Sequence, residues 1–312
     1  MNGMAAEIRP GRRSAWRYIR MNKYLYLMLI PVLAWYLAFC YLPMYGIVIA
    51  FQKYSFRYGV FGSTFVGLEN FKKLFNDPSF INALRNTVVI NSLRIVFGFP
   101  IPILFALMLN EVRHSAFKKV VQTVTYLPHF ISWVAFAGMM VSILSIEDGI
   151  LNMVRLRLGL PKLNYLMDGG IMRGVVILTD VWKEMGWNTI IYLAAISAID
   201  PTLYEAATVD GAGRVRSMGY ITLPAIASTM VIMLILQIGN IMQVGFDQIY
   251  NLYRPTTYAK IDILDTYIIR TMTGSANYGL QGAASLIKSI TSMALLLAAN
   301  YGVRLFGREG IY

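Results

Sequence analysis

The chain has 312 residues, 57% of them hydrophobic and only 14% charged, with a formal net charge of +12. An ordinary soluble domain carries about 25% charged residues, so this composition excludes a water-soluble globular protein. The basic residues gather at the ends of apolar runs instead of forming a stripe, which sets nucleic-acid binding aside and suits a protein facing anionic lipid.

The chain opens with Arg9, Arg12, Arg13, Arg17, Arg20 and Lys23, followed by an apolar run from Tyr24 to Ala50. That run is too long for a signal-peptide core and no small-x-small cleavage site closes it, so it is expected to be an uncleaved first span. A membrane helix needs about 20 mostly apolar residues, because its backbone groups must be satisfied internally. Five further stretches meet that requirement: Arg85–Leu109, Val121–Leu144, Met172–Ile199, Pro224–Phe246 and Ala284–Phe306. Asp180, Lys183 and Glu184 interrupt the fourth, while Arg94, Lys288 and Asn300 interrupt others without an evident role. Six spans put both termini on one side. The N-terminal basic cluster, with Arg113, Lys118, Lys119, Arg304 and Arg308, makes that side cytoplasmic. Lys53, Arg57, Lys72 and Lys73 run against the rule.

Three longer segments, 51–84, 145–171 and 247–283, then face outward. The first holds a helical pattern at Gly67–Phe75, and Asp77-Pro78 marks the start of another helix. Tyr54, Phe56 and Tyr58 are interfacial anchors. The organisation expected is a basic segment 1–23, a membrane domain 24–306 with an inner loop 200–223, and a tail 307–312. The single Cys40 lies inside an apolar run and is read as a small apolar residue in a helix. His114 and His129 stand far apart with no cysteine nearby, so no metal site is expected.

The segment between the fourth and fifth spans is unlike a plain connector. Asp200 suits a helix N-cap and Pro201 the first helical position. Gly211 permits a sharp break with positive φ, and Pro224 is expected to open the next membrane helix. The segment also carries a fixed spacing: Glu205-Ala206-Ala207, three residues, Gly211, nine residues, then Ile221-x-Leu223-Pro224. This resembles the cytoplasmic coupling loop of bacterial ABC importer permeases at every signature position. Lys23-Tyr24-Leu25-Tyr26-Leu27, Tyr41-Leu42-Pro43-Met44-Tyr45-Gly46, Phe246-Asp247-Gln248-Ile249-Tyr250-Asn251 and Asp265-Thr266-Tyr267 resemble the maltose-type sugar permease family. Within it they resemble the complex-oligosaccharide and polysaccharide branch.

The resemblance covers nearly the whole chain. It implies an all-α protein of the type I ABC importer permease fold, a multi-pass subunit of the bacterial cell membrane that forms half of an oligosaccharide path and works by alternating access. It also implies the partners: a second homologous permease, two copies of a cytoplasmic ATPase that holds ATP and Mg, and an extracellular solute-binding protein. Glu205, Ala206, Ala207, Asp210, Gly211 and Ala212 would contact the ATPase.

No lysine follows a glycine anywhere in the chain, so a phosphate-cradling Gly-x-x-x-x-Gly-Lys-Ser/Thr loop cannot occur. No catalytic constellation and no bound cofactor are expected on this chain. Polar residues within spans tend to face a cavity or another helix. Gln237, Asn240, Gln243 and Asp247, with Val244 and Gln248, recur at helical spacing on the fifth span, and Trp182, Trp187, Asn188 and Tyr192 lie on the fourth. They are candidates for the path, because sugars are held by aromatic faces and hydrogen-bonding side chains. The same residue types also bond neighbouring helices or anchor span ends. An ATP-independent secondary transporter or channel is the alternative, though no inverted repeat supports it. A membrane enzyme lacks the residues it would need.

Overall fold

The computed structural model describes residues 18–275 and 277–305. Residues 1–17 of the basic segment, Phe306 at the end of the sixth expected span and all of segment 307–312 lie outside these residues, and with them Arg9, Arg12, Arg13, Arg17 and Arg308. Nearly all described residues are helical. Apart from turns and loops, the rest of the described chain is a short antiparallel hairpin, β1 (Gln52–Lys53) and β2 (Thr64–Phe65), with Gln52 opposite Phe65.

The first helix, α1, runs 29 residues from Lys23 to Phe51. It is α-helical to Tyr36, widens to a π turn at Leu37–Tyr41, and tightens to a 3₁₀ segment over Leu42–Phe51. The wide turn lies just ahead of Pro43, whose ring collides with the carbonyl four residues back in a regular helix. The same device recurs at Met218–Thr222, just ahead of Pro224. No residue between Lys23 and Tyr41 is buried. An unbroken exposed apolar surface of this length is what a lipid-facing or partner-facing helix requires.

The amphipathic α2 (Glu69–Phe75) lies across the end of α1. Its buried Asn70 donates through Nδ2 to the carbonyls of Ala50 (2.9 Å) and Gln52 (3.0 Å). Next come α3 (Pro78–Gly98) and α4 (Pro100–Glu111), continuous through Phe99 as a 34-residue run. Asp77 caps α3, accepting from Ser79 N–H at 2.8 Å, so this span begins earlier than the Arg85 expected from hydropathy.

Two expected straight spans are broken. The third, Val121–Leu144, is α5 (Ser115–Tyr126) and α6 (Trp133–Leu144), joined through a 3₁₀ turn and bent by 101°. Pro128 cannot continue a helix, and the Ser132 hydroxyl caps the new one at Ala135 N–H (3.3 Å). Next follow α7 (Ile150–Arg157), α8 (Gly169–Ser197, capped by Asp168), and α9 (Pro201–Val209) at 71° to α8. The expected fifth span Pro224–Phe246 is broken twice. Pro224 sits in the last turn of α10 (Arg214–Ala225), and α11 (Ala227–Gly239) leaves it at 61°. After Gly239 the chain turns through 240–245 and restarts as α12 (Phe246–Leu252). The hairpin of α13 (Leu264–Ser275) and α14 (Tyr278–Leu305) ends the described chain.

Three of these helices are by themselves long and apolar enough to cross a membrane, and the number reaches six if each bent pair is one broken span. The fold is almost wholly helical, as the resemblance implies. α8 is its central strut, packed on α3 and α4, on α5 and on α12. Three apolar clusters lie along it and beside it: one near Phe80, Tyr267 and Ala284, one around Ile90, Val176 and Ile249, and one around Ile103, Tyr192 and Ile226.

Asn70 supplies the only side-chain hydrogen bonds recorded to the Ala50 and Gln52 carbonyls among the described residues. Leaving buried carbonyls unpaired costs about 1–3 kcal/mol. Asn70→Leu is therefore expected to lower the melting temperature of the purified protein. An unchanged melting temperature would mean that the end of α1 is held by packing alone.

Candidate translocation cavity and coupling segment

The break after α11 is where the chain must solve a problem. A helix end leaves carbonyls without intrahelical partners, and within a bilayer no bulk water replaces them. Asn91 and Arg94 on α3 are three residues apart and share a face. Asn91 Nδ2 donates to the carbonyls of Ile241 (2.6 Å) and Val244 (3.3 Å). Arg94 donates from Nη1 to Asn91 Oδ1 (3.1 Å) and from Nη2 to Gln248 Oε1. Its Nε stands 3.6 Å from Asp180 Oδ2, forming an ion pair with α8. Gln248 in turn donates to the Val176 carbonyl and to Thr179 Oγ1, both at 2.8 Å. The guanidinium, 5% exposed, thus holds α3, α8, α12 and the break together.

Gly245 makes this closure possible. Its φ is +101°, a conformation costly for any residue with a Cβ, and a Cβ there would collide with the Arg94 guanidinium.

Beside this node lies a cavity of about 560 Å³, within the range of small-molecule sites. Its wall is polar on one side: Asp180, Glu184 and Asn188 from α8, with Gln237, Asn240, Gln243 and Asp247 from α11, the break and the start of α12. Trp133 from α6 and Ile95, Met233 and Leu236 supply the apolar side. The residues expected as a stripe on one fifth-span helix therefore do line one cavity, but not from one helix. Gln237 is in α11, Asn240 and Gln243 are in the turns, and Asp247 is in α12. Gln248 is fully buried in the Arg94 node instead.

Of the α8 candidates, only Asn188 lines this cavity. Trp182 packs on Phe136 with ring centroids 5.5 Å apart, and Trp187 stacks on His129 at 4.4 Å. Tyr192 is buried among Ile103, Ile196 and Ile226. Glu184 Oε2 pairs with His129 Nδ1 (2.7 Å), and Lys183 Nζ donates to the His129 carbonyl (2.7 Å). These contacts hold the bend of the third span against α8. Arg94, Asp180, Glu184 and Trp133 were not among the candidates. The available signal was the presence of charges in the middle of spans.

At the other end of α8, the segment 200–213 is built as its local sequence dictates. Asp200 accepts from Thr202 N–H at 2.9 Å, a bond that holds its carboxyl below the usual carboxylate range. Pro201 begins α9. Gly211 has φ +75°, and Ala212 N–H bonds back to the Ala207 carbonyl at 2.8 Å, closing the helix end. No residue of α9 is buried, Glu205 included. Tyr204 Oη and Thr222 Oγ1, 2.9 Å apart, tie α9 to α10, and the Arg214–Glu111 pair at 3.7 Å ties α10 to α4. α9 is thus an exposed helix, closed at both ends and set at 71° to α8.

The chain was compared with known proteins. The family described as "Binding-protein-dependent transport system inner membrane component" matches residues 98–309. The polygalacturonan/rhamnogalacturonan transport system permease protein YteP of Bacillus subtilis (strain 168) is 45% identical over 291 residues, 93% of this chain and 91% of that one. A crystal structure of a bacterial alginate ABC transporter, in complex with an alginate pentasaccharide-bound periplasmic protein, contains a chain 40% identical to this one. It has a TM-score of 0.88 and covers 95% of this chain and 99% of that chain. A second, of a bacterial ABC transporter involved in the import of the acidic polysaccharide alginate, is also 40% identical, with a TM-score of 0.86 over 93% and 98%.

Breaking a buried ion pair by removing one partner costs about 3–5 kcal/mol. Arg94→Leu is expected to destabilise the protein by that order, and Arg94→Leu/Asp180→Leu to recover part of the loss. Thermal denaturation of both variants measures this. Equal melting temperatures for wild type and Arg94→Leu would show that the node carries no stability.

Proposed function

The chain belongs to the binding-protein-dependent transport system inner membrane component family, and from that premise we propose how this subunit works and what it carries. It is a multi-pass permease subunit of an ABC sugar importer. The ATP-independent alternative finds no support in these relatives.

In the proposed reading both termini are cytoplasmic, so α9 faces the cytoplasm of a bacterial cell whose inner membrane holds the chain. There Glu205, Ala206, Ala207, Asp210, Gly211 and Ala212 dock into one of two ATPase copies, which hold ATP and Mg. A second, homologous permease supplies the other half of the path. An extracellular binding protein delivers the sugar, as the alginate transporter with its loaded periplasmic protein suggests. The cavity beside Arg94 is this subunit's share of the path. The substrate class is an acidic oligosaccharide released from a polysaccharide, in keeping with the alginate and polygalacturonan systems among the relatives.

The observation that carries the coupling role is the exposed α9, capped at Asp200, turned at Gly211 and set at 71° to a 29-residue helix whose side chains reach the cavity. Force applied to such a helix is transmitted without unwinding it.

Gly211→Val forces a β-branched side chain into positive φ, and Glu205→Lys reverses the one charge of the Glu-Ala-Ala face. Both are expected to cut ATP-driven uptake by about tenfold or more, against an about tenfold change per 1.4 kcal/mol of coupling. The assay is oligosaccharide uptake and binding-protein-stimulated ATP hydrolysis by the assembled complex in proteoliposomes. Wild-type uptake in both variants would remove α9 from the coupling path.

A further inference from the structure

A second cavity, about 340 Å³, adjoins the first: Gln243 and Phe246 line both. It lies between α13 and α14, and its polar wall is made of Gln243, Asp265, Ser285, Lys288 and Ser289. Lys288 is the eleventh residue of α14, and it lies inside the apolar stretch of that helix that is long enough to cross a membrane. Its Nζ contacts Asp265 Oδ1 at 2.5 Å, and the two side chains are 18% and 20% exposed.

The two cavities differ in what they offer an anion. The first presents Asp180, Glu184 and Asp247, and its cation, Arg94, is enclosed by Asn91, Gln248 and Asp180. The second presents an ammonium on a flexible four-carbon stem, which can change partners more readily than a guanidinium held in a planar fork. An amide and two hydroxyls stand beside it, the groups that bond sugar hydroxyls. A charge in the middle of a span is costly and marks a path or a relay when it opens on a polar cavity.

We infer that Lys288 is the carboxylate-binding residue of a uronate subsite in the second cavity, with Asp265 as the internal anion that holds it until substrate arrives. In this arrangement a uronate carboxylate takes the place of Asp265 on Lys288, while Gln243, Ser285 and Ser289 face the sugar hydroxyls. This rests on the proposed acidic-oligosaccharide reading.

A pure staple between α13 and α14 makes opposite predictions. A single neutral substitution would leave a charge unpaired and do harm, whichever partner is lost, and neutralising both would repair it. The experiment uses the assembled importer in proteoliposomes with saturating binding protein and a galacturonate trisaccharide, each variant normalised to the amount of assembled complex. Lys288→Gln and Lys288→Gln/Asp265→Asn are both expected to lose about tenfold or more of the uptake rate, which is about 1.4 kcal/mol. Asp265→Asn is expected to keep at least about half of it. Recovery to the wild-type rate in the double variant, equal losses in the two single variants, or full activity of Lys288→Gln would each overturn the subsite. If the wild-type importer takes up neutral oligosaccharides but no uronate, the substrate class fails first. In that case the subsite is overturned with it, and intact uronate uptake with an indifferent Lys288 overturns the subsite alone.

Discussion

The structure depends on how it satisfies one broken helix. A fifth span that stops at Gly239 and restarts at Phe246 leaves carbonyls at membrane depth, where each unpaired group costs several kcal/mol. The chain meets this with side chains from a different span: Asn91 bonds the Ile241 and Val244 carbonyls, and Arg94 ties the restart to α8 through Gln248 and Asp180. Non-helical backbone at this depth is tolerated only when buried in protein or lining a cavity. Here it does both, because the same turns put Asn240 and Gln243 on the cavity wall.

That solution fixes the electrostatics of the site. A guanidinium that must hold three elements together cannot also serve as a free anion receptor, so the first cavity is left with carboxylates and amides. A carboxylate on a sugar would be met there by like charge, which in a low-dielectric setting is far more costly than in water. Recognition of an anion is thereby displaced towards the α13–α14 side, where Lys288 has one exchangeable partner. The break at 240–245, shared by both cavities through Gln243 and Phe246, is the hinge between the two environments.

What could be read from sequence was what depends on neighbours along the chain. Asp77-Pro78, Asp200-Pro201 and Gly211 announce a cap, a first turn and a left-handed residue, and each appears in the structure with that geometry. The apolar runs located the spans because bilayer thickness sets their length. The bends were not legible. Gln237, Asn240, Gln243 and Asp247 keep a helical period although the helix ends among them, since turns that return to one wall preserve the facing pattern a helix would give. Nor could one sequence pair Arg94 with Gln248, 154 positions away. Tyr192 shows the converse error: an aromatic in the middle of a span suggests a sugar platform, but its ring lies in the apolar cluster with Ile103 and Ile226.

α8 connects the two ends of the molecule. Its 29 residues are unbroken from the Asp168 cap to Ser197, about 43 Å at 1.5 Å per residue. Along one side it carries Asp180, tied to the Arg94 node, and then Glu184 and Asn188 on the cavity wall. At its end it turns, through Asp200, into the exposed α9. The third and fifth spans are broken, and so they can change shape; α8 has no proline or π turn at which to bend. In the proposed coupling role, a displacement of α9 would tilt or shift α8 and carry Asp180, Glu184 and Asn188 with it. The broken spans absorb the change. In that proposed division of labour the unbroken helix would carry the motion, while the polar node at Arg94 ties α3, α12 and the break at 240–245 to it.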